Sequence, residues 1–405
     1  MRLSRPVWLL GWVSFFTDTA SEMIYPLLPL FLTRVLGAGA MSLGVIEGVA
    51  DAANSVLKII SGRLADRWGA PKPLVLAGYG ISSAVRPFIA LASTWIHVLG
   101  LRFTDRLGKG IRGAPRDAML ATFADESNRG QVFGFHRAMD HAGAVCGPLI
   151  ASAFLYFYPG EYRTLFALTI IPGIIVIVVL LRVPDTRRPR SHGPARIEAN
   201  TERAAESSVQ APLPRAFYTA MAIILLFSLG NASDAFLLLR FADVGIQDFW
   251  IPFLWSAIHI VKSTSSVIGG HWSDRLGRRQ VIGAGWLVYA AVYAAFAFTE
   301  SAPVLVVVFL LYGLYFGLSE GVEKAWVADL APATARGTAF GIYNALLGAG
   351  ALGASLLFGL IWTRVSPPAA FLTGAGFAIA ATALLLGLFP RDEGPLRASP
   401  KGGAA

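Results

Sequence analysis

Charged side chains recur at helical spacing inside long apolar runs of this 405-residue chain. At bilayer depth each such ion costs about 2.5–3.5 kcal/mol, so it needs a partner, a water-filled space or a task. Asp18, Glu22 and Tyr25 stand at i, i+4 and i+7 in the first run. Glu47, Asp51, Ser55 and Lys58 follow at i, i+4, i+8 and i+11 in the second, an acid-to-base ladder on one helical face. The fourth run sets Arg102 and Arg106 on one line with Gly113 and Asp117, and Asp105, Lys109, Arg112 and Arg116 on the neighbouring line, so it must face protein or water. Arg86, Arg137 and Asp140 complete the set in the first half. The second half has fewer: Asp234, Arg240, Lys262, Glu320, Glu323 and Lys324, with His259 one turn from Lys262. Such groups either pair structurally and hold helices in register, or bind and release protons. Desolvation favours the neutral acid, an approaching guanidinium the ionised one. An excess of bases also suits an anionic solute, or a metal carried by an acidic chelator. The asymmetry predicts ionic chemistry in the first half and shape from the second. Phe236, Trp255, Tyr315, Trp326 and Tyr343 are candidate pocket walls there, although aromatics at this spacing more often pack a core.

The elements that must position these groups are membrane spans. The chain is 55% hydrophobic and 15% charged with a mean hydropathy of +0.58. Apolar runs of about 20 residues recur throughout, which excludes a soluble core. Runs and breakers give twelve spans at about 7–36, 41–65, 73–94, 96–122, 129–158, 162–183, 216–241, 248–272, 280–299, 303–331, 335–363 and 368–389. They divide six and six because the chain repeats itself. Gly62-Arg63-Leu64-Ala65-Asp66-Arg67-Trp68-Gly69 returns 208 residues on as Gly270-His271-Trp272-Ser273-Asp274-Arg275-Leu276-Gly277, followed by Arg278-Arg279. Arg129-Gly130-Gln131-Val132-Phe133-Gly134 returns 207 residues on as Arg336-Gly337-Thr338-Ala339-Phe340-Gly341. The predicted organisation is an N-terminal bundle over 1–183, a polar linker over 184–215, a C-terminal bundle over 216–390 and a tail over 391–405.

Twenty lysines and arginines fall on the side of the termini and only Arg34, Arg163 and Arg364 on the other, which predicts that both termini are cytoplasmic. The net charge of +9 is therefore a topology signal and no nucleic-acid partner is expected. Asp18 and Glu22 in the first run argue against a removable signal peptide, and the single Cys146 excludes a disulfide framework. Acids and histidines do not cluster at metal-ligand spacing, and no cofactor phrase occurs. A membrane-embedded enzyme using His136, Asp140 and His141, or a receptor on the same scaffold, is a remote alternative, and no enzyme is expected.

With both copies of the loop phrase in view, the chain resembles the major facilitator superfamily over all twelve spans. The resemblance implies an all-α membrane fold of two pseudo-symmetric six-helix bundles. It also implies that Gly62 and Gly270 permit close helix approach while Asp66, Arg67, Asp274, Arg275 and Arg278 lock the cytoplasmic ends in the outward-facing state. Three further phrases resemble the drug and proton antiporter branch. Gly143-Ala144-Val145-Cys146-Gly147-Pro148 is similar to its glycine–proline signature, with Gly143 and Gly147 for tight packing and Pro148 for a bend, but Ala151 and Ser152 replace the usual glycine pair. Tyr25-Pro26-Leu27-Leu28-Pro29 is like its paired prolines. Arg106-Leu107-Gly108-Lys109-Gly110 resembles a proton-transfer motif, with Lys109 for a glutamine and Arg112 for a small residue. The implied activity is alternating access in the inner membrane by a monomer, coupled to protons on Asp18, Glu22, Glu47 or Asp51. It would export a drug-like or charged organic solute, or alternatively take up a small organic anion or nutrient by symport.

Overall fold

In hydrocarbon every backbone N–H and C=O must find its partner within the segment, so apolar runs of this length become helices. In a computed structural model that describes residues 3–68, 71–124, 129–184, 212–332 and 335–389, all regular structure is helical. Twelve helices cross in turn. They are α1 (Arg5–Ile24, continued by short turns to Val35), α2 (Ala40–Trp68), α3 (Pro71–Val85, continued to Leu91), α4 (Trp95–Thr122), α5 (Arg129–Phe157) and α6 (Tyr162–Leu181). The second half has α7 (Arg215–Asp243), α8 (Trp250–Leu276), α9 (Arg278–Phe298), α10 (Ala302–Leu330), α11 (Arg336–Arg364) and α12 (Pro367–Leu388). The predicted linker and tail fall mostly or wholly outside the described residues, as do the side chains of Lys58, Gly62, Asp66 and Arg67.

Among the described residues, eight helices are apolar enough to cross a membrane by composition alone, and α1, α2, α4 and α8 are not. Those four carry Asp18, Glu22, Glu47, Asp51, the α4 arginines and Lys262, so their polar faces turn inward. The opposite distribution is seen on α6, where Ile170, Ile171, Ile174 and Leu181 are exposed as a lipid-facing surface requires. Breaks have local causes. After Ile24, α1 tightens into a 3₁₀ turn at Tyr25–Leu27 and widens into a π turn at Phe31–Val35, around Pro26 and Pro29, which lack the donor a continuous helix needs. Between Gly230 and Ala235 α7 unwinds, exposing backbone near Asp234.

The halves meet along two seams, α2 against α11 and α5 against α8. The repeat offset maps α2 onto α8 and α5 onto α11, so each seam is the image of the other, as rotation about the membrane normal demands. Within the first bundle α5 lies directly on α1. A β-carbon on Gly143 would collide with the Phe15 carbonyl oxygen, and one on Gly147 with that of Thr19. The close approach falls on Gly269, the residue before the second copy of the loop phrase, which presses on the Gly317 carbonyl of α10, whereas Gly270 faces open space. The resemblance thus pointed one residue too far along. Gly147→Val is expected to cost about 1–3 kcal/mol by overpacking and to lower the melting temperature in detergent, while Gly270→Ala leaves it unchanged.

Candidate functional site

Between the bundles lies a cavity of about 350 Å³. Ser14, Thr17, Asp18 and Glu22 of α1 line it, with Tyr79 of α3, Lys109, Arg112, Gly113 and Arg116 of α4, Arg137, Asp140, His141 and Ala144 of α5, and His259 of α8. Steps of three and four residues on α1, α4 and α5 aim each set at the same space. Thirteen of the fourteen residues come from the first half, in line with the asymmetry of charge in the sequence.

Several of these groups are held by neighbours. Arg112 donates from Nη1 to Ser82 Oγ (2.7 Å) and lies 4.3 Å over the Tyr79 ring. Arg116 pairs with Asp117 at 2.9 Å. Ser14 donates to Asp140, whose other carboxylate oxygen lies 3.6 Å from His136 Nδ1. Glu22 accepts from Trp255 Nε1 at 2.8 Å, a bond from one half to the other. His259 stacks edge-on against Trp255, and its Nε2 is buried with no hydrogen-bond partner among the described residues. Carboxylates, guanidiniums and an ammonium thus converge on one polar space with room for a small charged solute.

Other charges singled out by spacing lie elsewhere. Glu47 pairs with Arg102 at 2.8 Å, with side chains 1% and 3% exposed. Asp105 pairs with Arg86 at 3.0 Å, and Arg86 also donates to the Thr17 carbonyl at 3.0 Å. These ties fasten α2 to α4 and α3 to α4 and α1. Arg106 is buried, and its Nε has no hydrogen-bond partner among the described residues. In the second half Lys262 pairs with Asp234 (3.2 Å) beside the break in α7, sits 3.5 Å over the Phe316 ring, and shares Asp234 with the Tyr312 hydroxyl (2.7 Å). Glu323 is buried and accepts from Trp286 (3.0 Å) and Tyr343 (3.1 Å). Glu320 and Lys324 pair on an exposed face at 2.9 Å. Of the candidate aromatic walls, Phe236, Trp255, Tyr315, Trp326 and Tyr343 are all buried in the second-half core, and only Trp255 reaches the first-half carboxylates. Asp274 meets Arg278 at 2.6 Å, and Arg278 reaches Asp329 at 3.2 Å, joining the ends of α8, α9 and α10 within one half. Arg275 is exposed.

Arg116 lines the cavity on the Lys109–Arg112 stripe read from the sequence, whereas His141, considered there only as an acid or base of the enzyme alternative, lines it as well. Spacing missed the contacts that close the end of the molecule away from the chain termini. There Asp248, in the α7–α8 connection, receives both Arg34 and Tyr162 of the other half, and Ser152 donates to the Phe249 carbonyl at 2.7 Å. Because Arg34 is 42% exposed, the ion pair is worth about 0.5–1 kcal/mol. Asp248→Asn is expected to raise the population open at this end about twofold to fivefold. Spin labels on the exposed Ser93 and Glu300, with Cys146 replaced, would show this as growth of the longer-distance population.

The model of the Major Facilitator Superfamily matches residues 10–260 and 243–404. An uncharacterized MFS-type transporter of Methanocaldococcus jannaschii is 32% identical over 390 residues, covering 95% of each chain. Multidrug resistance protein MdtH of Photorhabdus laumondii is 29% identical over 184 residues, 43% of this chain and 44% of that one. Among solved structures, the peptide transporter POT superposes with a TM-score of 0.76 at 15% identity, covering 94% of this chain and 93% of that one. The nucleoside transporter NupG, in its crystallised mutant, superposes with a TM-score of 0.73 at 14% identity, covering 95% and 100%. Matched along nearly its whole length in sequence, and in fold by solved transporters, this chain belongs to the major facilitator superfamily.

Proposed function

We propose that the chain is a proton-coupled secondary transporter that carries a small charged organic solute through the cavity between its halves by alternating access. The observation that carries this reading is the convergence of Asp18, Glu22 and Asp140 with Lys109, Arg112 and Arg137 on one space at the interface of two rotating bundles. Asp18 is the proton acceptor. With the termini in the cytoplasm of an inner membrane, the Arg34–Asp248–Tyr162 cluster is the outer gate, and Asp274 with Arg278, together with Asp66 in the first copy, forms the inner one. The working unit is a monomer.

Two directions share this machinery. Export in exchange for protons is favoured by the likeness to MdtH, which covers less than half of the chain. Uptake in symport is favoured by the charges of the cavity. Purified protein in liposomes, tested with a panel of charged organic solutes for solute-driven proton movement, checks the reading. Proton flux that depends on a solute and on Asp18 is the expected result, and no flux with any solute sinks it.

A further inference from the structure

Three acids are buried among the described residues, and two of them face a guanidinium: Glu47 pairs with Arg102, and Asp105 with Arg86. The third is Glu323 of α10, which is 5% exposed and lies outside the cavity. No lysine, arginine or histidine among the described residues stands within ion-pair distance of it. Its two partners are neutral side chains from two other helices. Oε1 accepts from Trp286 Nε1 of α9 at 3.0 Å, and Oε2 meets the Tyr343 hydroxyl of α11 at 3.1 Å. Trp286 is fixed in turn by stacking on Phe227 at 4.5 Å. The charged residues nearest along the packed helices are engaged elsewhere. Lys324, next in the chain, pairs with Glu320 on an exposed face, and Lys262 of α8 is held by Asp234 over the Phe316 ring. On α9, Arg279 stands about two turns before Trp286 and lies over the Phe389 ring.

An isolated carboxylate taken out of water sheds its charge by taking up a proton, unless a partner charge repays the desolvation. Arginines repay it at Glu47 and Asp105, whereas Glu323 is offered only dipoles. The two partners also fit the acid form atom by atom. An indole N–H only donates, so Oε1 accepts from Trp286 whatever the charge. A phenol donates or accepts, so Oε2 is able to carry a proton and give it to the Tyr343 oxygen. Neither contact is lost when the proton arrives. A way in runs along α10. Glu320 stands one turn before Glu323 and one turn beyond Phe316, on the face that meets Lys262, and its side chain is 52% exposed. Tyr343 ties the site to the moving parts, because α11 forms the seam with α2 of the first half and packs only lightly on α10.

We propose that Glu323 is a proton-binding site of the second half, apart from Asp18, which holds a proton shared with Tyr343 in this structure and exchanges it by way of Glu320. The test is read without any solute, so it stands or falls separately from the transport reading. Infrared difference spectra are taken on the full chain in liposomes between acid and alkaline buffer. The expected result is a carboxylic-acid carbonyl band that is present in acid, lost in alkali and missing from Glu323→Gln. Tyr343→Phe, which removes the acceptor of the acid proton, is expected to move that band to higher frequency, and Glu320→Gln to slow its loss after a pH jump severalfold. The glutamine at 323 keeps both contacts, its oxygen accepting from Trp286 and its nitrogen donating to Tyr343. Should that variant fail to fold, the band shift in Tyr343→Phe decides. Identical acid bands in the parent and Glu323→Gln, or no shift in Tyr343→Phe, overturn the assignment. A band that alkali does not remove makes Glu323 a fixed neutral hydrogen-bonding group and overturns the exchange, and an unchanged rate in Glu320→Gln overturns the route.

Discussion

Replacing Asp18 with asparagine is expected to abolish pH-driven accumulation of solute while leaving exchange of solute across the membrane intact. A transporter that takes one proton per solute accumulates about tenfold per pH unit at equilibrium, because each unit of proton gradient is worth about 1.4 kcal/mol. Without a titrating group the ratio falls to about one, whatever the gradient. The substitution suits the test because it changes charge and little else. Gly143 of α5 lies against the Asp18 β-carbon, close enough that a glycine β-carbon would sit 3.2 Å away, and asparagine has the same shape at that contact. The helix pair α1–α5 therefore stays packed. Counterflow of labelled solute with no pH gradient measures the exchange step alone, and inside-to-outside ratios across an imposed gradient measure coupling. Full accumulation in the variant would move the coupling role from Asp18 to another carboxylate. Glu22→Gln reports on a second role of the same helix. Its amide oxygen still accepts from Trp255 Nε1, so the bond between halves survives the loss of charge.

Helical spacing placed Asp18 with Glu22, and Lys109 with Arg112, on common faces because the period of a helix is a local property. The doubling of two loop phrases made the two-bundle fold legible for the same kind of reason, since register is written along the chain. Pairing between helices is not written that way. Glu47 and Arg102 are 55 residues apart and Arg86 and Asp105 are 19 apart. From sequence they carry the same signature as Asp18 and Lys109, a charge inside an apolar run. Only their geometry separates buried ties between helices from groups that line a cavity. Arg34, in the π turn that ends α1, and Asp248, in the α7–α8 connection, are 214 residues apart and had no periodic signal at all. Gly269 and Gly270 differ by 100° around the helix, and the match to a phrase does not say which of two adjacent glycines turns toward α10.

The largest structural effect is expected at one of those ties. Arg102→Met leaves Glu47, 1% exposed, as an ionised carboxylate with its guanidinium removed, and breaking a buried pair in this way costs about 3–5 kcal/mol. That is a large part of the 5–15 kcal/mol by which a typical fold is stable. The variant is expected to melt far below the parent in detergent, and to express poorly. Adding Glu47→Leu should restore most of the loss, because two apolar side chains of similar volume remove both desolvation penalties along with the attraction. The double variant then separates two roles. Recovered stability with recovered transport makes the pair a tie between α2 and α4. Recovered stability without transport, or a single variant as stable as the parent, assigns Glu47 and Arg102 to the transport cycle instead, and enlarges the coupling site to α2.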